Sequence, residues 1–148
     1  MVQAWDPALL DQLLSGQHPD TFGALIQVVL HPADHPYVGE TSVDPAKYYR
    51  NNVGDSFTLF EAPKAQGERR CIRPLLLVSF ATCPTYGIPA EDQIPTAETC
   101  PQQPINTYGR SKWMVEQAIG DFGLAYGLPS LIFCYCNAAG PYSAEELG

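Results

Sequence analysis

The stretch Leu75-Leu76-Leu77-Val78-Ser79-Phe80-Ala81-Thr82 is apolar at nearly every position. A strand with one wet face alternates apolar and polar residues. A continuous apolar run bounded by turn signals instead reads as a strand covered on both faces, as in a parallel sheet. Such a sheet needs helices, and the sequence supplies them in alternation. Residues 6–14 place Leu9, Leu10, Leu13 and Leu14 at helical spacing, with Asp6 as N-cap, Pro7 at the first helical position and Gly16 as the stop. Residues 24–30 form a short apolar, partly β-branched run that reads as a second buried strand, followed by a loop over 31–39. Residues 45–62 read as a helix through Tyr48, Tyr49, Val53, Phe57 and Phe60, with Gly54 as its weak point. A Pro-rich loop over 83–107 leads to the best-patterned helix, 107–126. That helix carries Val115, Ala118, Ile119, Phe122 and Ala125 on one stripe, with Gly127 and Pro129 closing it. Residues 130–136 read as a last strand. The order helix, strand, helix, strand, loop, helix, strand predicts an α/β fold with a parallel sheet and flanking helices. A length of 148 residues allows a single domain, 1–148.

Composition narrows the partners. A formal charge of -8 repels a phosphate backbone, so nucleic acid is not an expected ligand. The cluster Arg69, Arg70 and Arg73 reads as a solvated loop. The longest apolar run, 74–81, is far short of the roughly 20 residues a membrane span needs. No basic segment precedes an apolar stretch at the N-terminus, so the expectation is a cytoplasmic protein without a membrane partner. The five cysteines show one close spacing, Cys134-x-Cys136, which in a strand points both to one face as small core residues. His31 and His35 are four apart, but Pro32 and Pro36 forbid a regular helix between them, and no metal site is expected.

The strongest chemical signal is Tyr108-Gly109-Arg110-Ser111-Lys112, a Y-x-x-x-K at the start of the best helix. Residues four apart share a helical face, about 5–6 Å from one another. The Lys112 ammonium can therefore favour the phenolate of Tyr108. A phenol tuned in this way can take a proton from a sugar hydroxyl near neutral pH. Thr82 ends the buried strand, and the C-terminal ends of strands are where open α/β sheets bind ligands. Its hydroxyl can reach the same substrate hydroxyl, or simply cap its own backbone. The intervening loop is longer than compact domains usually tolerate without a functional reason.

Several segments in order resemble the UDP-glucose 4-epimerases of the extended short-chain dehydrogenase/reductase family. They are Tyr37-Val38-Gly39-Glu40-Thr41-Ser42-Val43, Pro45 to Tyr49, Asn51-Asn52-Val53, Thr82 to Gly87, Pro104 to Gln117, and Asn137-Ala138-Ala139-Gly140. The resemblance implies a Rossmann-like sheet, NAD as cofactor, a nucleotide-sugar substrate and a homodimer as in the family. It implies Tyr108 as the base at the sugar 4-hydroxyl, Thr82 as its orienting partner, and Lys112 as holder of the nicotinamide ribose. Hydride would leave C4 for NAD and return to the other face of the rotated 4-keto sugar. Asn51, Ala33 within the 31–36 loop, and Cys136 would lie near the cofactor, and Asn137 at the substrate diphosphate.

The sequence also departs from that family. It contains no G-x-x-G-x-x-G, the turn that opens such enzymes and cradles the cofactor pyrophosphate on a helix N-terminus. It stops at Gly148, where the family continues into a substrate lobe. The expectation is a partial Rossmann-like domain that lacks the N-terminal glycine-rich βαβ unit. Such a piece is an epimerase segment or a truncated, non-catalytic remnant or interaction fragment. Within the chain, Pro32, Asp34 and Pro36 stand in a loop that is mostly small and apolar in the family. Asp55 replaces a glycine, and Phe80 and Ala81 replace small hydroxyl residues. Cys134 stands where arginine is common and Cys136 where phenylalanine is common. Residues 68–74 form a longer stretch that does not match. A 4,6-dehydratase would carry an Asp-Glu pair after the strand-end threonine, whereas Thr82 is followed by Cys83 and Pro84.

Overall fold

The computed structural model describes residues 6–32, 44–65 and 75–135. Helix α1 spans Pro7–Ser15. Asp6 caps it by accepting the Ala8 amide at 2.9 Å, and Gly16 ends it at φ 75°. Both ends match the sequence reading. Strand β1 is Val28–His31. Helix α2, Pro45–Tyr48, runs through a π-helical segment, Tyr49–Gly54, into α3, Asp55–Ala65. Strand β2 is Leu76–Thr82, followed by a 3-10 turn at Cys83–Tyr86 and another at Glu91–Gln93. Helix α4 is Thr107–Tyr126 and strand β3 is Ser130–Tyr135.

The three strands form a parallel sheet in the order β1-β2-β3. Val29 pairs with Leu77 and His31 with Ser79. On the other side Ala81 pairs with Cys134 and Thr82 with Tyr135. The helices meet the sheet through a core of Leu10, Val53, Leu59, Phe60, Leu77, Val115, Ala118 and Ile119, with Val29 and Phe122 packed against it. Burying side chains of this size contributes about 1.5–3 kcal/mol each. Phe60 and Phe122 meet at 5.7 Å between ring centroids in an edge-to-face arrangement, the geometry aromatic pairs favour.

Several expectations need correction. Residues 24–30 do not form a buried strand. Strand begins only at Val28, and Val28 and Leu30 are exposed. Among the described residues β1 has a neighbour on one side only, and its alternate residues face away from the helices. The same geometry exposes β3 along its whole length, so Cys134 is not a core residue. Within 45–62 the π segment adds a residue to one turn and shifts the buried face. Tyr48, Asn52, Ser56 and Phe60 fill it, while Phe57 is pushed outward. Ala125 is likewise exposed at the end of α4. The expectations for Ala33, Cys136, Asn137, the three arginines and residues 68–74 lie outside the described residues.

Candidate functional site

Helix α4 begins where the site begins. The Asn106 side chain accepts the Gly109 amide at 2.7 Å and caps the helix. Tyr108 and Lys112 follow one turn apart, and both are buried, at 7% and 3% exposure. Thr82, at 9%, ends β2. The chain then turns through Cys83–Tyr86, which packs against α4.

What joins the two is Gly109. A Cβ there would stand 2.6 Å from the Pro84 carbonyl oxygen and 3.1 Å from Cβ of Pro104. Only a residue without a side chain lets the first turn of α4 sit on the backbone that follows Thr82. Tyr108 adjoins that contact on one side, and Thr82 lies two residues before it on the other.

The helix is fixed from behind by Asn52 and Ser111. Asn52 Nδ2 donates to Ser111 Oγ at 3.1 Å, and Ser111 Oγ donates to the Tyr108 carbonyl at 2.8 Å. Both side chains are buried, Ser111 completely. Asn51, expected near a cofactor, is half-buried and donates to Asn52 Oδ1 at 3.0 Å. Sequence reasoning gave Asn52 and Ser111 no role. The signal was present, since Asn52 is four residues past Tyr48 and Ser111 lies inside Y-x-x-x-K. π segments recur at functional sites, and here one delivers Asn52 to α4.

Two further polar residues were not foreseen. Gln102 Nε2 donates to Glu116 Oε2 at 2.6 Å, one turn beyond Lys112. Burial pushes the Glu116 carboxyl up, partly offset by the Gln102 hydrogen bond and the Lys112 charge. Nearby, a cavity of about 370 Å³ is walled by Cys83, Tyr86, Pro89, Thr96, Glu98 and Cys134. The Cys134 thiol turns from its exposed strand toward Thr85 and Tyr86, and burial pushes it up. The Tyr86 phenol is raised by burial and by the neighbouring Cys134, Glu116 and Glu98. Thr82, Tyr108 and Lys112 do not line this cavity.

A three-stranded parallel sheet with helices packed on it, and a buried tyrosine–lysine pair set against the C-terminal end of its middle strand, define a Rossmann-like α/β protein. Residues 6–147 match the NAD dependent epimerase/dehydratase family, and the chain belongs to it. It is 42% identical over 143 residues to a UDP-glucose 4-epimerase of Rhizobium meliloti (strain 1021), covering 97% of this chain and 39% of that protein. Against a Streptomyces lividans UDP-glucose 4-epimerase the identity is 42% over 112 residues, or 76% of this chain and 32% of that one. The crystal structure of UDP-glucose 4-epimerase from Brucella ovis in complex with NAD superposes with a TM-score of 0.78 at 37% identity. It covers 97% of this chain and 40% of that one. The chain thus spans roughly two fifths of the length of these relatives. Among the described residues, no helix is long and apolar enough to cross a membrane.

Proposed function

We propose that this chain carries the acid–base segment of an NAD-dependent epimerase acting at C4 of a UDP-hexose, as in the interconversion of UDP-glucose and UDP-galactose. One observation carries the reading: Tyr108 and Lys112 lie one turn apart, both buried, on a helix start that Gly109 seats directly after Thr82. The Tyr108 hydroxyl takes the proton from the sugar 4-hydroxyl. The Lys112 ammonium favours the phenolate that begins this step. The Thr82 hydroxyl orients the sugar oxygen. An ammonium and a phenol on one buried helix turn also suit the hydroxyls of a ribose, so these residues fit the nicotinamide-ribose end of NAD. NAD, when bound, supplies the hydride acceptor and donor. By the family resemblance, Asn51, Ala33 and Cys136 would belong to the cofactor side and Asn137 to the diphosphate. No residue here is assigned to the pyrophosphate, because the sequence holds no G-x-x-G-x-x-G.

The test is NAD binding to the purified chain, by thermal shift. A rise in melting temperature at millimolar NAD that disappears in Lys112→Ala supports the reading, and the absence of any rise sinks it for this chain. A second reading, a non-catalytic interaction segment, is favoured by Leu30, Leu131, Phe133 and Tyr135, which are exposed on the sheet. Concentration-dependent association on size exclusion, with no response to NAD, would favour that alternative.

A further inference from the structure

Gln102 lies in the Pro-rich loop, four residues before the N-cap of α4. The acid–base reading gives it no task. Its Nε2 donates to Glu116 Oε2 at 2.6 Å and stands 3.5 Å from Thr85 Oγ1. Thr85 is completely buried, and its hydroxyl donates to the Thr82 carbonyl at 2.8 Å. The polarities agree along the whole chain. An amide nitrogen has two hydrogens to give, and a hydroxyl can accept one hydrogen bond while donating another. The result is a continuous link, Glu116 to Gln102 to Thr85 to Thr82, from the helix that bears Tyr108 and Lys112 to the strand end that bears Thr82. It runs by a different route from the Gly109–Pro84 contact. Linked hydrogen bonds that are buried at one end and partly buried at the other reinforce one another and favour a single arrangement.

We propose that Gln102 is a positioning residue of this site, holding the Thr82 strand end in register with the Tyr108–Lys112 turn. The inference rests on the acid–base reading of Tyr108 given above. Gln102 touches neither the phenol nor the sugar in that reading and acts through Thr85 and Glu116. The charged and titratable groups facing this link come from every element around it: Lys112 on α4, Tyr86 in the turn, Glu98 in the loop and Cys134 on β3. The Gln102 amide favours the ionised form of Glu116, which burial disfavours. Losing the amide therefore frees the strand end from the Tyr108–Lys112 turn.

The experiment follows the Tyr108 titration in a chain labelled with carbon-13 at the tyrosine ζ position. The Tyr108 signal is identified among the eight tyrosines by Tyr108→Phe. Lys112→Met, which removes the cation one turn from the phenol, moves its midpoint upward. Gln102→Leu moves it the same way by about 0.3 unit or more. The exchange Gln102→Glu with Glu116→Gln keeps an amide–carboxyl pair with its ends reversed, and brings the midpoint back. If Gln102→Leu lowers the melting temperature but leaves the midpoint in place, Gln102 is a structural brace only and the inference is overturned. An exchange that restores nothing overturns it too. Should Gln102→Leu not fold, Gln102→Met, uncharged and of similar length, is read at the same midpoint: an upward move supports the inference and an unmoved midpoint overturns it. Lys112→Met that leaves the midpoint unmoved sinks the acid–base reading and this inference with it, so different variants report the two failures.

Discussion

Gly109 stands so close to Pro84 that a methyl group on it would lie 2.6 Å from the Pro84 carbonyl oxygen. The obstacle is backbone, not a side chain that can swing aside. Gly109→Ala must therefore push the start of α4 off the turn that follows Thr82, at a cost of about 1–3 kcal/mol. Gly120, on the same helix, has nothing among the described residues within 4 Å of its added Cβ. Gly120→Ala should gain about 0.5–1 kcal/mol from helix propensity alone. Urea unfolding of the two variants provides the check, and equal midpoints would show that the close approach has no energetic weight.

Asn52 and Ser111 make the corresponding link on the far side of the helix. With both side chains buried and joined at 3.1 Å, Asn52→Ala removes a buried hydrogen bond and leaves a cavity, and should cost about 1–3 kcal/mol. Asn51 is half-buried, and Asn51→Ala should cost less than Asn52→Ala by about 1 kcal/mol. Thermal unfolding of the pair ranks them, and the reverse order would count against Asn52 as the anchor of α4.

The sequence was most legible where one local signal governs. Asp6 and Gly16 marked both ends of α1, Gly127 marked the end of α4, and the nearly continuous apolar run marked β2 to within one residue. It was least legible where tertiary context governs. Val28 and Leu30 look like core residues from composition, yet their exposure depends on which strand lies beside β1 and which face the helices choose. The π segment is a similar case. Tyr48, Asn52, Ser56 and Phe60 share the buried side because one turn holds an extra residue, and apolar spacing alone does not reveal that. Tyr108, Lys112 and Thr82 stood out as chemical types at fixed spacing. Gln102 and Glu116 come from distant positions in the sequence, and only the folded loop brings them together.

Glu116 makes the stability of the chain depend on pH in a defined direction. Burial raises its carboxyl above the ordinary value of 4.5. Between that value and the raised one, the folded chain holds the proton more often than the unfolded chain. Stability from this group therefore falls as pH rises through that window. Glu116→Gln removes the titration and keeps a hydrogen-bonding partner for Gln102. Its melting temperature relative to the unaltered chain should climb from about pH 4 to about pH 7. A difference that stays flat or shrinks over that range would mean that the carboxylate is compensated in the folded state.

The other Glu116 oxygen, Oε1, is buried without a hydrogen-bond partner among the described residues. Cys134 is close enough for the Glu116 charge to raise its thiol, as Glu98 does too. Two carboxyl groups thus act on a position held by a small neutral side chain, at a residue where the resembling family commonly has arginine. Cys134 lines the cavity of about 370 Å³, so a longer side chain at 134 has room to extend. Cys134→Arg should place a guanidinium within reach of the orphaned oxygen and stabilise the chain by about 1–3 kcal/mol, the range of hydrogen bonds to charged groups. The pH dependence should also reverse, because a cation beside Glu116 favours its ionised form. The decisive comparison is a double-mutant cycle with Glu116→Gln. If the gain survives undiminished when Cys134→Arg is combined with Glu116→Gln, the arginine is acting on something other than this carboxyl. If most of it disappears, the raised carboxyl and the missing cation are two sides of one unfilled pairing.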